Sequence, residues 1–391
     1  MIRQGLFLAA GLLTGCAPTV TATQSADLHT RLLTLDTHLD TGLQFARAGW
    51  DFGEAHPRDS DFSQLDIPRM KAGALDGGFF SIYTDQGPLD AKGYADALAF
   101  ARARSDLIDR TIAAHRDAIE PALTVADARQ LDRRGKLIAF KSIENSYPLG
   151  EDLGLLAEFK ARGVRLVSPV HGKNNQFADS ATDKPRWDGL SPLGRQWVAE
   201  MNRLGLVIDA SHASDASFDQ MLALSTAPIL LSHSSLRSAN DHPRNLDEGR
   251  LRQLAAKGGA MCVSTIFLGE MKMSPERAVL FAQYEDGSKL DAAAQRELGR
   301  RWRELDARKP MWDVSFDKYA AMVLRATEVA GVDHICFGAD WDGGGGLPDF
   351  DDISAQSRLT ARLKAAGYSD ADLAKMWSGN VLRILEAARK N

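Results

Sequence analysis

Short runs of branched and aromatic residues recur along the chain, separated by longer stretches of helical period. The runs fall at Leu32–Leu35, Gly78–Tyr83, Leu137–Ile143, Val164–Val167, Leu206–Asp209, Pro228–Leu231, Gly259–Ser264 and Ile335–Gly338. Helical patterns precede several of them: residues 94–115 before the third run, 193–205 before the fifth, 217–225 before the sixth and 316–331 before the eighth. Strand and helix in alternation imply a parallel sheet, and eight units imply a closed (β/α)8 barrel of TIM type rather than an open doubly wound sheet. No repeat, low-complexity block or long linker interrupts the span 28–391, which reads as a single α/β domain. The widest interval, Ile266 to Ser315, carries a charged stretch over 291–309 that reads as a solvated helix. Because it follows the seventh strand, it could also lean over the barrel mouth and shape specificity.

Composition narrows the picture. The 391 residues are 44% hydrophobic and 25% charged, enough apolar material for a large core, and the net charge of -5 gives no basic excess for a nucleic-acid partner. The first residues are less ordinary. Arg3 precedes an apolar stretch from Gly5 to Leu13, too short to span a bilayer but suited to the h-region of a secretory signal. The following "LTGCAP" brings small residues up to Cys16 and resembles the lipobox of bacterial lipoproteins. The expectation is a signal peptide over 1–15, an acylated Cys16 opening a flexible lipidated tether over 16–27, and a domain held outside the cytoplasm on the periplasmic side of a bacterial membrane. That anchor is the one membrane contact expected. Cys262 and Cys336 lie inside the apolar runs "GAMCVST" and "HICFGAD" and are expected as buried free thiols, although such a compartment permits a disulfide.

In a barrel of this kind the reacting groups come from the C-terminal ends of different strands. His38 and Asp40 of "LDTHLD" stand two apart and so share a face. Glu144 ends the third strand, His171 follows the fourth, His212 the fifth, His233 the sixth, and Asp340 the eighth. A single histidine closing a strand is ordinarily a packing residue. Seven imidazoles and carboxylates at six strand ends would be costly to bury together without a cation, so the set predicts a metal centre. Histidine and carboxylate without cysteine suit zinc or another borderline divalent ion. Glu144 can bridge two ions through its two oxygens, with His38 and Asp40 on one and His212 and His233 on the other. That leaves Asp340 to take and give a proton. Lys141, three residues before Glu144, falls on the opposite strand face and reads as structural rather than as a bridging carbamate.

The motifs together resemble the renal, or membrane, dipeptidase family of the amidohydrolase superfamily. "LDTHLD" is similar to the family's D-x-H-x-D opening, with Asp36, His38 and Asp40 in register. "GGFFSIYT", "RLVSPVHGKNNQFADS", "GLSPLGRQWVAEMNRLGLVIDASHAS", "APILLSHSS", "HPRNLD" and "FGADWDG" follow in family order, and the tail from Tyr368 looks like the closing helices. The resemblance implies a distorted (β/α)8 barrel with two Zn2+ per chain. His38 and Asp40 would bind one ion, Glu144 both, His212 and His233 the second, and Asp340 would be the acid/base. His171 matches a histidine that contacts the substrate and polarises the scissile carbonyl. Arg244 matches the arginine that receives the dipeptide's free carboxylate, a role its planar fork suits.

The same resemblance implies a small dipeptide substrate cut by a hydroxide shared between the ions, tolerance of a D-residue at the C-terminal position, and a homodimer. Leu39 stands where the family commonly has asparagine, and Ala339–Asp340–Trp341 where Gly-Asp-Phe is more usual. The alternative within enzymes is another amidohydrolase reaction, on N-acyl amino acids or related amides and esters. A metal-dependent solute-binding lipoprotein is the alternative outside them, and it would have no need of Asp340.

Overall fold

The computed structural model describes residues 27–285 and 289–390. The expected signal peptide, Cys16 and nearly all of the tether lie outside these residues. Among the described residues the chain forms nine strands: β1 (Leu35–Leu39), β2 (Gly77–Tyr83), β3 (Ile119–Pro121), β4 (Leu137–Glu144), β5 (Val164–Val167), β6 (Val207–Ile208), β7 (Leu230–Ser234), β8 (Ala260–Val263) and β9 (Ile335–Phe337). All pair in parallel, in one sheet ordered β1-β2-β4-β5-β6 and a second ordered β7-β8-β9. Single parallel bridges, Asp209 with Leu230 and Leu39 with Trp341, join the sheets at both seams. Eight strands therefore close into a ring, and β3 pairs with the start of β4 outside it. Leu39 and Trp341 meet at one seam, both fully buried.

All eight expected strands are present. The first lies further along than the apolar run suggested, over Leu35–Leu39 rather than Leu32–Leu35, so "LDTHL" is itself the strand. β3 was not expected; three residues ending in proline carry almost no pattern.

The strands show why the site sits at one end. Leu35, Phe79, Ile138, Phe140, Leu166, Val207, Leu230 and Ala260 pack in one buried cluster with Val381, Ile384 and Ala388 of the last helix, Asn380–Lys390. That helix closes the barrel floor. Two residues further along β1, β2, β4 and β7 the same face carries Thr37, Ser81, Ser142 and Ser232, all buried. Helices begin where the sequence offers an oxygen to their free N–H groups: Asp66, Thr124, Ser191, Ser214, Asp247 and Ser315 each cap one.

Near the floor, His29 is buried, with Nδ1 2.8 Å from Thr360 Oγ1, Nε2 3.0 Å from the Gly73 carbonyl and its ring edge-on to Trp377. No helix among the described residues is long and apolar enough to cross a membrane.

One expectation is corrected. Cys262 and Cys336 are not free thiols but a disulfide, bridging 74 positions of sequence. They are register partners on the adjacent parallel strands β8 and β9, so the fold sets two buried cysteines side by side in the barrel. Closing a loop of this length is worth about 4 kcal/mol in the chain-entropy account. The interval Ile266–Ser315 forms a pair of helices, Pro275–Glu285 and Ala292–Arg308. The second is not wholly solvated: Leu298 and Leu305 pack with Leu280 and Phe62 in a small core of their own.

Candidate metal centre

Six strand ends converge above the barrel's apolar floor. His38 lies on β1 and Asp40 opens the 3₁₀ turn Asp40–Ala46 that follows; Glu144 is the last residue of β4; His233 lies on β7. His212 and Asp340 sit in the turns just past β6 and β9, and His171 in the loop after β5. The Glu144 carboxylate is central. Its Oε2 is 3.3 Å from His38 Nε2, while its Oε1 is 3.0 Å from His212 Nε2, 3.4 Å from His233 Nε2 and 3.9 Å from His171 Nε2. His38 Nε2 also lies 3.3 Å from Asp40 Oδ2 and 3.7 Å from Asp340 Oδ1. Among the described residues, three overlapping sets of donor atoms could each hold an ion: His38, Asp40 and Glu144; Glu144, His212 and His233; and His38, His233 and Asp340.

These donors fit a cation better than they fit one another. Both ring nitrogens of His38 and Oδ1 of Asp40 are buried without a hydrogen-bond partner among the described residues. His212 Nε2 and His233 Nε2 face each other at 2.9 Å, so at most one proton can lie between two lone pairs. The tautomer of His233 follows from its neighbours. Ser232 donates its hydroxyl to Asp209 Oδ2 at 2.5 Å and so accepts from His233 Nδ1 at 2.8 Å. Nδ1 then carries the proton and Nε2 keeps its lone pair turned towards Glu144.

Asp209 also accepts from the backbone N–H groups of Ser211 and Ser232, tying the two histidine-bearing segments together. Asp36 does the same across the seam, accepting from the N–H groups of His38 and Ala339. Sequence reasoning had Asp36 in register but assigned it no task, and it missed Asp209 and Ser232. The short D-x-S and D-x-H spacings are the signal, since an aspartate two residues upstream can cap the N–H of the residue that matters.

Burial drives the electrostatics. It would lower the pKa of His38, but the Glu144 and Asp40 carboxylates overcome it and hold the imidazole well above its ordinary value. Burial would likewise raise Glu144, and His38 with the other two histidines holds it well below. His212 and His233 are pushed well down, by burial first and then by the neighbouring cations. Asp340 is pushed up to about 8, by burial and by the Asp40 and Glu144 carboxylates, against the pull of His38.

His171 is the most open of the group, about a third exposed, with its ring against His212 and Tyr83. Arg244 is buried; its Nη1 donates to Ser234 Oγ at 2.9 Å and Nη2 to the His233 carbonyl at 2.8 Å, while Nε has no partner among the described residues. Burial brings its pKa down to about 10. His212 and Asp340 both hold left-handed backbone, at φ 66° and 68°, which costs roughly 1–3 kcal/mol each and aims their side chains at the centre. Lys141 points away, pairing with Asp109 at 2.8 Å and Ser105 at 3.1 Å on the helix Ala91–Ala114.

The membrane dipeptidase family, peptidase family M19, matches residues 22–391. A curated relative, dipeptidase tcpJ of Claviceps purpurea, is 28% identical over 363 residues, 90% of this chain and 76% of its own. Dipeptidase aclJ of Aspergillus oryzae is 28% identical over 84% of this chain and 70% of its own. A crystal structure described as "the probable dipeptidase PvdM from Pseudomonas aeruginosa" superposes with a TM-score of 0.80 at 27% identity, covering 94% of this chain and 98% of that one.

Proposed function

The chain belongs to the membrane dipeptidase family, a family of metallo-dipeptidases, and from that premise we propose a binuclear zinc enzyme that hydrolyses free dipeptides, L-Xaa-L-Xaa and L-Xaa-D-Xaa alike. The observation that carries the reading is the Glu144 carboxylate, whose two oxygens face different histidines, His38 on one side and His212 with His233 on the other. In this reading His38, Asp40 and Glu144 hold one ion and Glu144, His212 and His233 the other. When bound, such a pair supplies Lewis acidity and a water acidic enough to attack near neutral pH.

The chain's own groups do the rest. Arg244 takes the substrate's free carboxylate and so sets the scissile bond in position. The imidazole of His171, the most open of the group, faces the carbonyl oxygen and stabilises the negative charge that gathers there. Asp340 takes the proton of the attacking water and passes it to the leaving amine, a transfer suited by its place beside His38 at the centre of the donor set. The D-residue tolerance, the homodimer and the acylation of Cys16 rest on sequence resemblance. The Cys262–Cys336 disulfide supports an oxidising, extracytoplasmic compartment. Labelling with a fatty acid, in the native chain and in Cys16→Ser, tests the anchor.

The function is tested by metal analysis together with hydrolysis of L-Ala-L-Ala, L-Ala-D-Ala, L-Ala amide and N-acetyl-L-Ala, before and after chelation. About two zinc ions per chain, with chelator-sensitive cleavage of the two dipeptides alone, is the expected result. Cleavage of N-acetyl-L-Ala in preference to the dipeptides would move the reaction to the N-acyl amino acids.

A further inference from the structure

The helical pair between β8 and β9 reaches the centre from outside. Tyr284, in the last turn of helix Pro275–Glu285, donates its hydroxyl to the Asp342 carbonyl at 3.0 Å and accepts from Gln44 Nε2 at 3.3 Å. Gln44 lies on the 3₁₀ turn that Asp40 opens, and Asp342 stands two residues after Asp340. One phenol therefore spans the two loops that carry these carboxylates.

The rest of the insertion repeats the contact. Gln295 Oε1 accepts from Arg47 Nε at 3.0 Å, and Arg47 in turn holds Gln44 Oε1 at 3.0 Å. Trp312 Nε1 donates to the Gly344 carbonyl at 2.7 Å. The loops are also linked directly: Asp342 accepts from Thr41 Oγ1 at 2.7 Å, and Asp40 N donates to the Trp341 carbonyl at 2.9 Å. Tyr284 is packed against Phe62 and Trp302, so its hydroxyl is held in place by apolar neighbours.

We propose that this insertion is a clamp that fixes the spacing of Asp40 and Asp340, with Tyr284 and Trp312 as positioning residues, rather than a wall that selects substrate. The inference rests on the dipeptidase reading for its kinetic arm only. Donors at this site sit 3–4 Å apart, and a carboxylate displaced by a fraction of that distance loses both an ion's ligand geometry and the line of proton transfer. The contacts run to loop backbone and to Gln44, so their loss should act alike on every substrate.

The test uses the full-length enzyme with Tyr284→Phe and Trp312→Phe, each removing one donor and keeping a ring. Zn2+ affinity is read by chelator competition without substrate, and kcat and KM are read on a small and a bulky dipeptide. Expected are a weakening of one of the two zinc equivalents by about tenfold and a fall in kcat of about tenfold on both dipeptides, with KM and substrate order unchanged. Wild-type zinc affinities and kcat in both variants would overturn the clamp. So would a changed substrate order with kcat kept on one dipeptide, the mark of a substrate wall. Trp312→Phe decides the question should Tyr284→Phe fold poorly. If the wild-type enzyme cleaves no dipeptide, the functional reading fails, while the zinc affinities still decide the clamp.

Discussion

A single methyl group can be driven between the two carboxylates of the site. Gly343 lies against Asp40 Oδ2 and Asp340 Oδ1, and a Cβ built on its backbone would fall inside the contact distance of both oxygens. Gly343 does not hold left-handed backbone, so alanine there meets no conformational penalty and acts as a steric probe alone. To accept the methyl group, the carboxylates must give way by about 1 Å, and a displacement of that size at reacting groups costs about 100-fold in rate, or about 2.7 kcal/mol of barrier. Gly343→Ala should lower kcat on L-Ala-L-Ala to that extent and lower the melting temperature by a few degrees, the cost of about 1–3 kcal/mol for overpacking buried groups. The assay pairs steady-state kinetics with zinc content and a thermal melt. A kcat within threefold of wild type, in a folded and zinc-loaded variant, would refute the account of Asp40 and Asp340 as groups whose separation matters.

Other changes have equally direct readouts. Asp340→Asn should keep its metal and lose about 100- to 10,000-fold in kcat; metal loss with the rate per bound ion unchanged would make Asp340 a ligand and not the proton carrier. Arg244→Ala should raise KM about 10- to 100-fold for free dipeptides, the worth of a charged hydrogen-bonded pair, and spare dipeptide amides. An equal rise for both substrate types would remove Arg244 from carboxylate recognition. His29 is held neutral, its pKa pushed from 6.5 down to about 4 by burial. Between these values the unfolded chain binds a proton that the fold refuses, so stability falls as pH drops from 6.5 to 4, by up to about 3 kcal/mol. His29→Gln should flatten that slope in denaturant melts between pH 7.5 and 4.5, and a parallel pH dependence in the two proteins would count against the burial argument.

Much of the barrel was legible because its strands are short apolar runs between amphipathic helices, and β2, β4 and β5 lie within a residue of the reading. The errors have physical causes. β1 reads poorly because Asp36, Thr37 and His38 interrupt it, polar residues that a strand buried on both faces ordinarily excludes. They are tolerated here because the barrel mouth gives each of them a partner or a place in the ion-holding set. The Cys262–Cys336 bond escaped the reading because strand adjacency, not sequence spacing, puts the two cysteines side by side. The strand-end histidines and acids could be gathered from their positions alone. What holds them was hidden: the Asp209–Ser232–His233 chain and the reach of Tyr284 depend on contacts between segments 23 and 58 residues apart.

The fastening of His29 gives the molecule two poles. Its ring is locked to Gly73, Thr360 and Trp377, which holds the segment leading into β1 at the end of the barrel opposite the mouth. At the other pole His171 is about a third exposed while Asp340 is buried, so a small molecule entering the mouth by diffusion meets the imidazole first and the carboxyl last.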